Sequence, residues 1–161
     1  TLADLIGKPP RKSWEGQSFA AAVDKGAATG HDELILSQCC HGCQRSVRWD
    51  NWLYIRTYHD FFHLFPREML FDLSADPHEQ RDLAAERPDI CREAAYRYLN
   101  WHDAMMATQP EGYYHDPLWE ELANGGPCHA HNHLAKYCQR LEESGREWAI
   151  PLLRERHPEE K

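Results

Sequence analysis

The period of the apolar positions changes along this chain, and each change marks an element. Residues 45–49 form a short β-prone run, Asp50-Asn51 a two-residue turn that tolerates positive φ, and residues 52–58 a second run rich in aromatic and β-branched side chains. In that second run Leu53, Ile55 and Thr57 fall on one side and Trp52, Tyr54 and Tyr58 on the other. Apolar residues on both sides predict a central strand covered from both faces. A loop over 60–67 leads to a third run at 68–73 and a stop at 74–77, which ends in Asp76-Pro77. Upstream, residues 33–38 read as a further strand. Downstream the period lengthens: Cys91, Ala94, Ala95, Tyr98, His102 and Met105 recur as one stripe of a helix over 87–106, with Pro88, Asp89 and Glu93 at its start. The expected fold class is α+β: a small antiparallel sheet of about four strands with a long helix packed on one face, plus a helical C-terminal tail.

The flanks follow the same rules. Residues 1–7 read as a helix end stopped by Gly7, and 8–12 as a stiff linker around Pro9-Pro10. Ser18 is placed to cap a short helix over 19–25, and 26–30 is loop. Gln109-Pro110-Glu111-Gly112 breaks the chain. In the tail, 116–123 is a short helix, 124–127 (Asn-Gly-Gly-Pro) a turn, and 131–144 a helix with Leu134, Tyr137, Cys138 and Leu141 on one face. Pro151 is expected to interrupt the last segment.

Length and composition narrow the function classes. A chain of 161 residues with six Trp, seven Tyr and five Phe can bury a sizeable core. A net charge of −8 without a basic stripe argues against nucleic acid as partner. No run of eighteen apolar residues and no signal-peptide pattern is present, so no membrane partner is expected. The six cysteines permit disulfides without requiring them, which leaves the compartment open between periplasm and cytoplasm. A start at Thr1 rather than Met fits a fragment or a processed product.

Three constellations carry candidate chemistry. Cys39-Cys40-His41-Gly42-Cys43 puts three thiols and an imidazole within five residues. With Cys128 and the histidines that follow it, this is an alternative zinc site built on Cys39, Cys43, His41 and Cys128. The preferred reading makes Cys39 and Cys43 small buried hydrophobes at a strand-to-strand turn, with no metal bound. The loop 58–63 carries His59 and His63, which suit ligand contact or acid–base work; the competing reading is a polar loop with Phe61 and Phe62 packed beneath it. Arg45 and Arg48 are placed either to meet an anion or to pair with Asp72 or Asp76. Gly125-Gly126-Pro127-Cys128-His129, with His131 and His133, is a shaped turn presenting imidazoles, against the alternative of a plain surface turn. His31, His78, His115 and His157 are expected in solvent.

The motifs also resemble a known family. Arg45-Ser46-Val47-Arg48, Leu53-Tyr54-Ile55-Arg56, Met69-Leu70-Phe71-Asp72-Leu73, Asp76-Pro77-His78-Glu79 and Asp82-Leu83-Ala84 follow one another in the order seen in the C-terminal subdomain of the type I sulfatases, of the alkaline phosphatase-like superfamily. With the flanks at 1–7 and 14–19, the resemblance covers roughly residues 1–107. It implies three parts: the end of a catalytic-domain helix and a linker over 1–14, the sulfatase C-terminal subdomain over 15–107, and a subfamily tail over 108–161. Some bacterial members have a similar Gly-Gly-Pro-x-His tail. The family's Cys/Ser-x-Pro-x-Arg motif, source of its formylglycine nucleophile, is absent here, as are its paired calcium-binding aspartates. The resemblance therefore implies a non-catalytic closing part of a sulfuric ester hydrolase, with calcium and formylglycine in the parent and no cofactor in this segment. The implied partners are the catalytic domain and, in the parent, a sulfated small molecule or glycan, with self-association of the isolated chain. The expected substrate-facing residues are His41, Gln44, Arg45, His59, His63, His129 and His131. The alternative is a self-contained zinc-stabilised or protein-binding module.

Overall fold

A computed structural model describes residues 1–14, 16–26, 30–113, 115–128 and 130–160. The chain divides into two compact units, Thr1–Leu34 and Ile35–Lys161. In the first, α1 (Leu2–Leu5) is closed by Gly7 at φ 67°, with the Lys8 amide donating to Ala3 O. The amide of Phe19 donates to Thr1 Oγ1 at 2.9 Å, just before α2 (Ala20–Lys25). Ser18 Oγ accepts from the Ala20 amide at 3.3 Å, but the N-cap of α2 is Phe19, without a side-chain cap bond, so the expected serine stands one residue before the cap.

The sheet has four strands in the order β1 (Glu33–Gln38), β2 (Cys43–Trp49), β3 (Trp52–His59) and β4 (Glu68–Asp72). The β2–β3 and β3–β4 pairs are antiparallel, and Trp49 pairs with Trp52 across the Asp50-Asn51 turn, where Asp50 has φ 43°. The long helix α3 (Pro88–Ala107) follows, with Pro88 in its first turn. The α+β class, the strand count and the long helix are as the periodicity predicts.

Pair register assigns the faces. Val47 opposite Tyr54, and Tyr54 opposite Leu70, put these side chains on one face, where they join Trp49 and the Cys91 and Ala94 of α3 in a single core. Arg48 opposite Leu53, Leu53 opposite Phe71, and Ile55 opposite Met69 make up the second face. β3 is central, as its composition predicts, but Leu53 and Ile55 are only half-buried. The expected cover on both sides is therefore incomplete among the described residues.

The tail builds its own core. α4 (Pro117–Ala123) starts at the capping carboxylate of Asp116, which accepts from the Leu118 amide. α5 (Leu134–Glu143) and α6 (Ile150–Arg156) contribute Leu134, Cys138, Leu141, Ile150 and Leu153 to a second buried cluster. Pro151 does not interrupt this segment. It sits in the first turn of α6, where its missing N–H has no intrahelical partner to lose. Among the described residues, Phe62 from the loop between β3 and β4 is buried in that cluster, and Phe61 and Leu64 of the same loop pack against it. The buried phenyl ring therefore ties the sheet's connecting loop to the C-terminal helices. No helix of the described residues is long and apolar enough to cross a membrane.

Candidate functional site

The loop after β3 is held in a costly backbone conformation. Phe61, Phe62 and Leu64 have φ of 47°, 66° and 58°, a region that bulky L-residues seldom enter. Side chains on either side fix it. Asp60 Oδ1 accepts from the Phe62 amide at 3.1 Å, and His59 Nδ1 accepts from the Phe61 amide at 3.2 Å. Asp60 is 5% exposed and is reached from the far end of the chain. His157 Nε2 donates to its Oδ1 at 2.7 Å, and Arg156 Nη1 donates to its Oδ2 at 2.6 Å and to Phe65 O at 2.9 Å. Burial pushes the Asp60 carboxyl up, but the bonds from His157 and Arg156 outweigh it and bring the group down to about 2. Phe62 is further clamped by His157, edge-on at 5.1 Å.

His157, expected in solvent, is thus 5% exposed and a central member of this cluster. Ile150, Leu153 and His157 fall at i, i+3 and i+7, and that spacing was the signal available in the sequence. His59 lies beside it, ring centroids 4.9 Å apart, and against Gly126 of the Gly-Gly-Pro turn. Burial and then the neighbouring His157 push the His59 imidazole down, towards the neutral form. Since Nδ1 accepts from Phe61, the ring proton belongs on Nε2, which is buried without a hydrogen-bond partner.

Four of the expected site histidines meet at this end of the sheet. His41 and His63 are exposed and flank Phe61, with centroids at 6.0 and 5.6 Å. His59 supports the Phe61 backbone from below, and His131 bonds Gly126 O through Nε2 at 3.1 Å. Gln44 donates to Thr57 Oγ1 at 3.0 Å, on the neighbouring strand. His129 lies outside the described residues. A cavity of about 580 Å³ opens beside this cluster, lined by residues 57–60, Phe65, Arg67, Arg156, His157 and Glu159.

Arg45 sits elsewhere, under α3. Its two terminal nitrogens grip both oxygens of Asp116 at 3.0 and 2.9 Å, and its guanidinium lies against the neighbouring rings of Tyr98 and Trp101 at 5.3 and 5.0 Å. At 4% exposure it anchors the start of α4. Arg48 donates to the backbone oxygen of Asp50 rather than to Asp72 or Asp76.

The thiols of Cys39 and Cys43 are hydrogen-bonded neighbours. Burial, then Cys39, pushes the Cys43 thiol up to about 12, and burial raises Cys39 as well. Cys128 is exposed. Among the described residues, no three His, Cys, Asp or Glu side chains are placed to hold one metal ion.

No family model matches the chain. Arylsulfatase K of Danio rerio is 31% identical over 101 residues, which are 58% of this chain and 18% of that protein. The chain thus spans 18% of the length of this curated relative. A solved structure described under the metabolism of multiple glycosaminoglycans by Bacteroides thetaiotaomicron covers 62% of this chain and 22% of its own, at 19% identity and a TM-score of 0.47. The motif order read along residues 45–84 and the Arylsulfatase K similarity agree, and the chain carries a sulfatase-related segment similar to the C-terminal part of that family.

Proposed function

We propose that this chain serves as the closing subdomain of a sulfatase. In this reading it packs on a catalytic domain through the second face of its sheet. The observation that carries the reading is that face. Leu53 and Phe71, and Ile55 and Met69, are cross-strand pairs on the side away from α3; Phe71 is buried, Leu53, Ile55 and Met69 are half-buried, and Leu36 of β1 is 51% exposed. Half-buried apolar side chains across three strands of one sheet face suit a surface that packs on a partner. The formylglycine and calcium that supply sulfate-ester cleavage in the family would reside in that partner; no step is assigned to them in this chain.

The exposed histidines at the end of the sheet supply the second half of the proposal. His41 and His63, set around Phe61, would form part of the rim of the substrate cleft. Gln44, His59 and His131 would hold that rim in place. Arg45, committed to Asp116, would act through α4 and not by touching substrate. A rim without a nucleophile still contributes, because contacts remote from the reacting group position it.

The test is titration of the purified chain into a sulfatase catalytic domain, followed by calorimetry and by aryl sulfate turnover. Saturable binding by the native chain, weakened at least tenfold by Ile55→Asp, supports the reading. Binding indifferent to Ile55→Asp, no binding at all, or aryl sulfate turnover by this chain alone, overturns it.

A further inference from the structure

The cavity between the β3–β4 loop and the C-terminal arm has a chemistry of its own. Its walls come from sequence positions a hundred residues apart, yet they are locked together through the buried Asp60. Asp60 presents little charge to the cavity. Its oxygens are already taken by the Phe62 amide, His157 and Arg156. Arg156 meets Asp60 and Phe65 O through Nη1 alone. The other edge of its planar fork, on a side chain 44% exposed, is left to the cavity. Arg67, exposed and also lining the cavity, adds a second guanidinium. Glu159 is the remaining acid, and it leans on His157 Nδ1 at 3.8 Å. Phe65 supplies an apolar surface between the two arginines' segments.

We propose that this cavity is an oxyanion-binding site for a small polar ligand, with Arg67 and the open edge of Arg156 as the anion's donors and Phe65 as the platform for the ligand body. Two guanidinium groups on a shaped wall suit the paired oxygens of a sulfate ester, a phosphate ester or a carboxylate. A volume of about 580 Å³ accommodates a monosaccharide-sized molecule. His157, fixed through Nε2, keeps Nδ1 on the cavity side, beside Glu159. The site adjoins the His41–Phe61–His63 rim through His59, its anion donors belong to neither that rim nor the apolar sheet face, and its lining residues all lie within this chain. Only the preference for sulfate among oxyanions rests on the sulfatase reading.

The experiment uses the purified 161-residue chain alone, titrated by calorimetry at constant ionic strength. The probes are glucose 6-sulfate, glucose 6-phosphate and glucuronate, with glucose as the uncharged control. Saturable binding of at least one anionic probe and not of glucose is expected. It should weaken about tenfold or more in Arg67→Ala, the loss expected for one charged hydrogen bond. Because Arg67 is exposed, this variant should keep the native fold, checked by circular dichroism; Arg156→Lys tests the second donor with the charge retained. Arg92→Ala, on an exposed turn of α3, should bind as the native chain does. The rank of the three anions identifies the source chemistry, and any of them bound with arginine dependence supports the site. No saturable binding, or binding unchanged in both Arg67→Ala and Arg156→Lys, overturns it. Because no catalytic domain is present, a failed docking reading leaves this readout unaffected.

Discussion

The ring of His59 occupies the space where Gly126 would carry a Cβ: that position lies 2.5 Å from His59 Cδ2 and 2.8 Å from Nε2. Gly126 also holds φ 95°, a conformation that L side chains rarely adopt. The Gly-Gly-Pro turn is therefore shaped by what it packs on, the last residue of β3.

Gly126→Ala should accordingly destabilise the chain by about 2–4 kcal/mol, combining backbone strain with a ring displaced from a buried seat. Urea unfolding measures it. His59→Ala should relieve the clash and leave the strain, so the double variant should lose less than the two single losses combined. Strict additivity would mean that the ring and the turn do not press on one another.

How far the sequence reveals this site depends on the range of the contacts. The meander, the α3 stripe and the turn at Asp50-Asn51 rest on local periods, and these were legible. The pairs that build the site join Asp60 to His157 and Arg45 to Asp116, separated by 97 and 71 residues. Contacts of that range leave no periodic trace. His157 therefore read as one more polar tail residue, although its spacing from Leu153 places it on the buried side of α6. Pro151 misled for a related reason: proline breaks a helix interior and begins a helix equally well, and only the position of the first turn decides.

Asp60 sets an acid limit on stability. Its folded-state value is about 2, below the ordinary 3.8, so the unfolded chain takes up the proton first as pH falls. The stabilisation is fully present above about 3.8 and is lost as pH drops towards 2, an amount of about 2 kcal/mol. Urea midpoints measured from pH 6 down to pH 2 should fall in that window. Asp60→Asn should flatten this part of the profile, while lowering stability at pH 6 because Arg156 and His157 lose their anion. A parallel fall in both proteins would assign the acid limb to other carboxylates.

The Arg45–Asp116 pair should behave as a structural bolt. Arg45→Ala leaves a carboxylate buried without its cation and should cost about 3–5 kcal/mol, whereas replacing both partners with apolar residues of similar volume should cost much less. Thermal unfolding of the three variants checks this. An Arg45→Ala protein of native stability would return Arg45 to the list of ligand-binding candidates.

The second sheet face predicts how the isolated chain behaves in solution. Leu53, Ile55 and Met69 are half-buried at the centre of this face, and Leu36 extends it to the β1 edge. Apolar side chains left partly open on a sheet face favour association. Sedimentation velocity over a wide concentration range should show reversible self-association of the native chain. Ile55→Asp places a charge at the centre of the patch and should shift the equilibrium towards monomer, at unchanged circular dichroism. Met69→Asp, cross-strand from Ile55, should act in the same direction. Arg92→Ala, on an exposed turn of α3 on the other side of the sheet, should leave the association constant unchanged. A native chain that stays monomeric at the highest concentrations, or association that both aspartate variants leave intact, would move the sticky surface elsewhere. It would also remove the observation on which the docking reading rests.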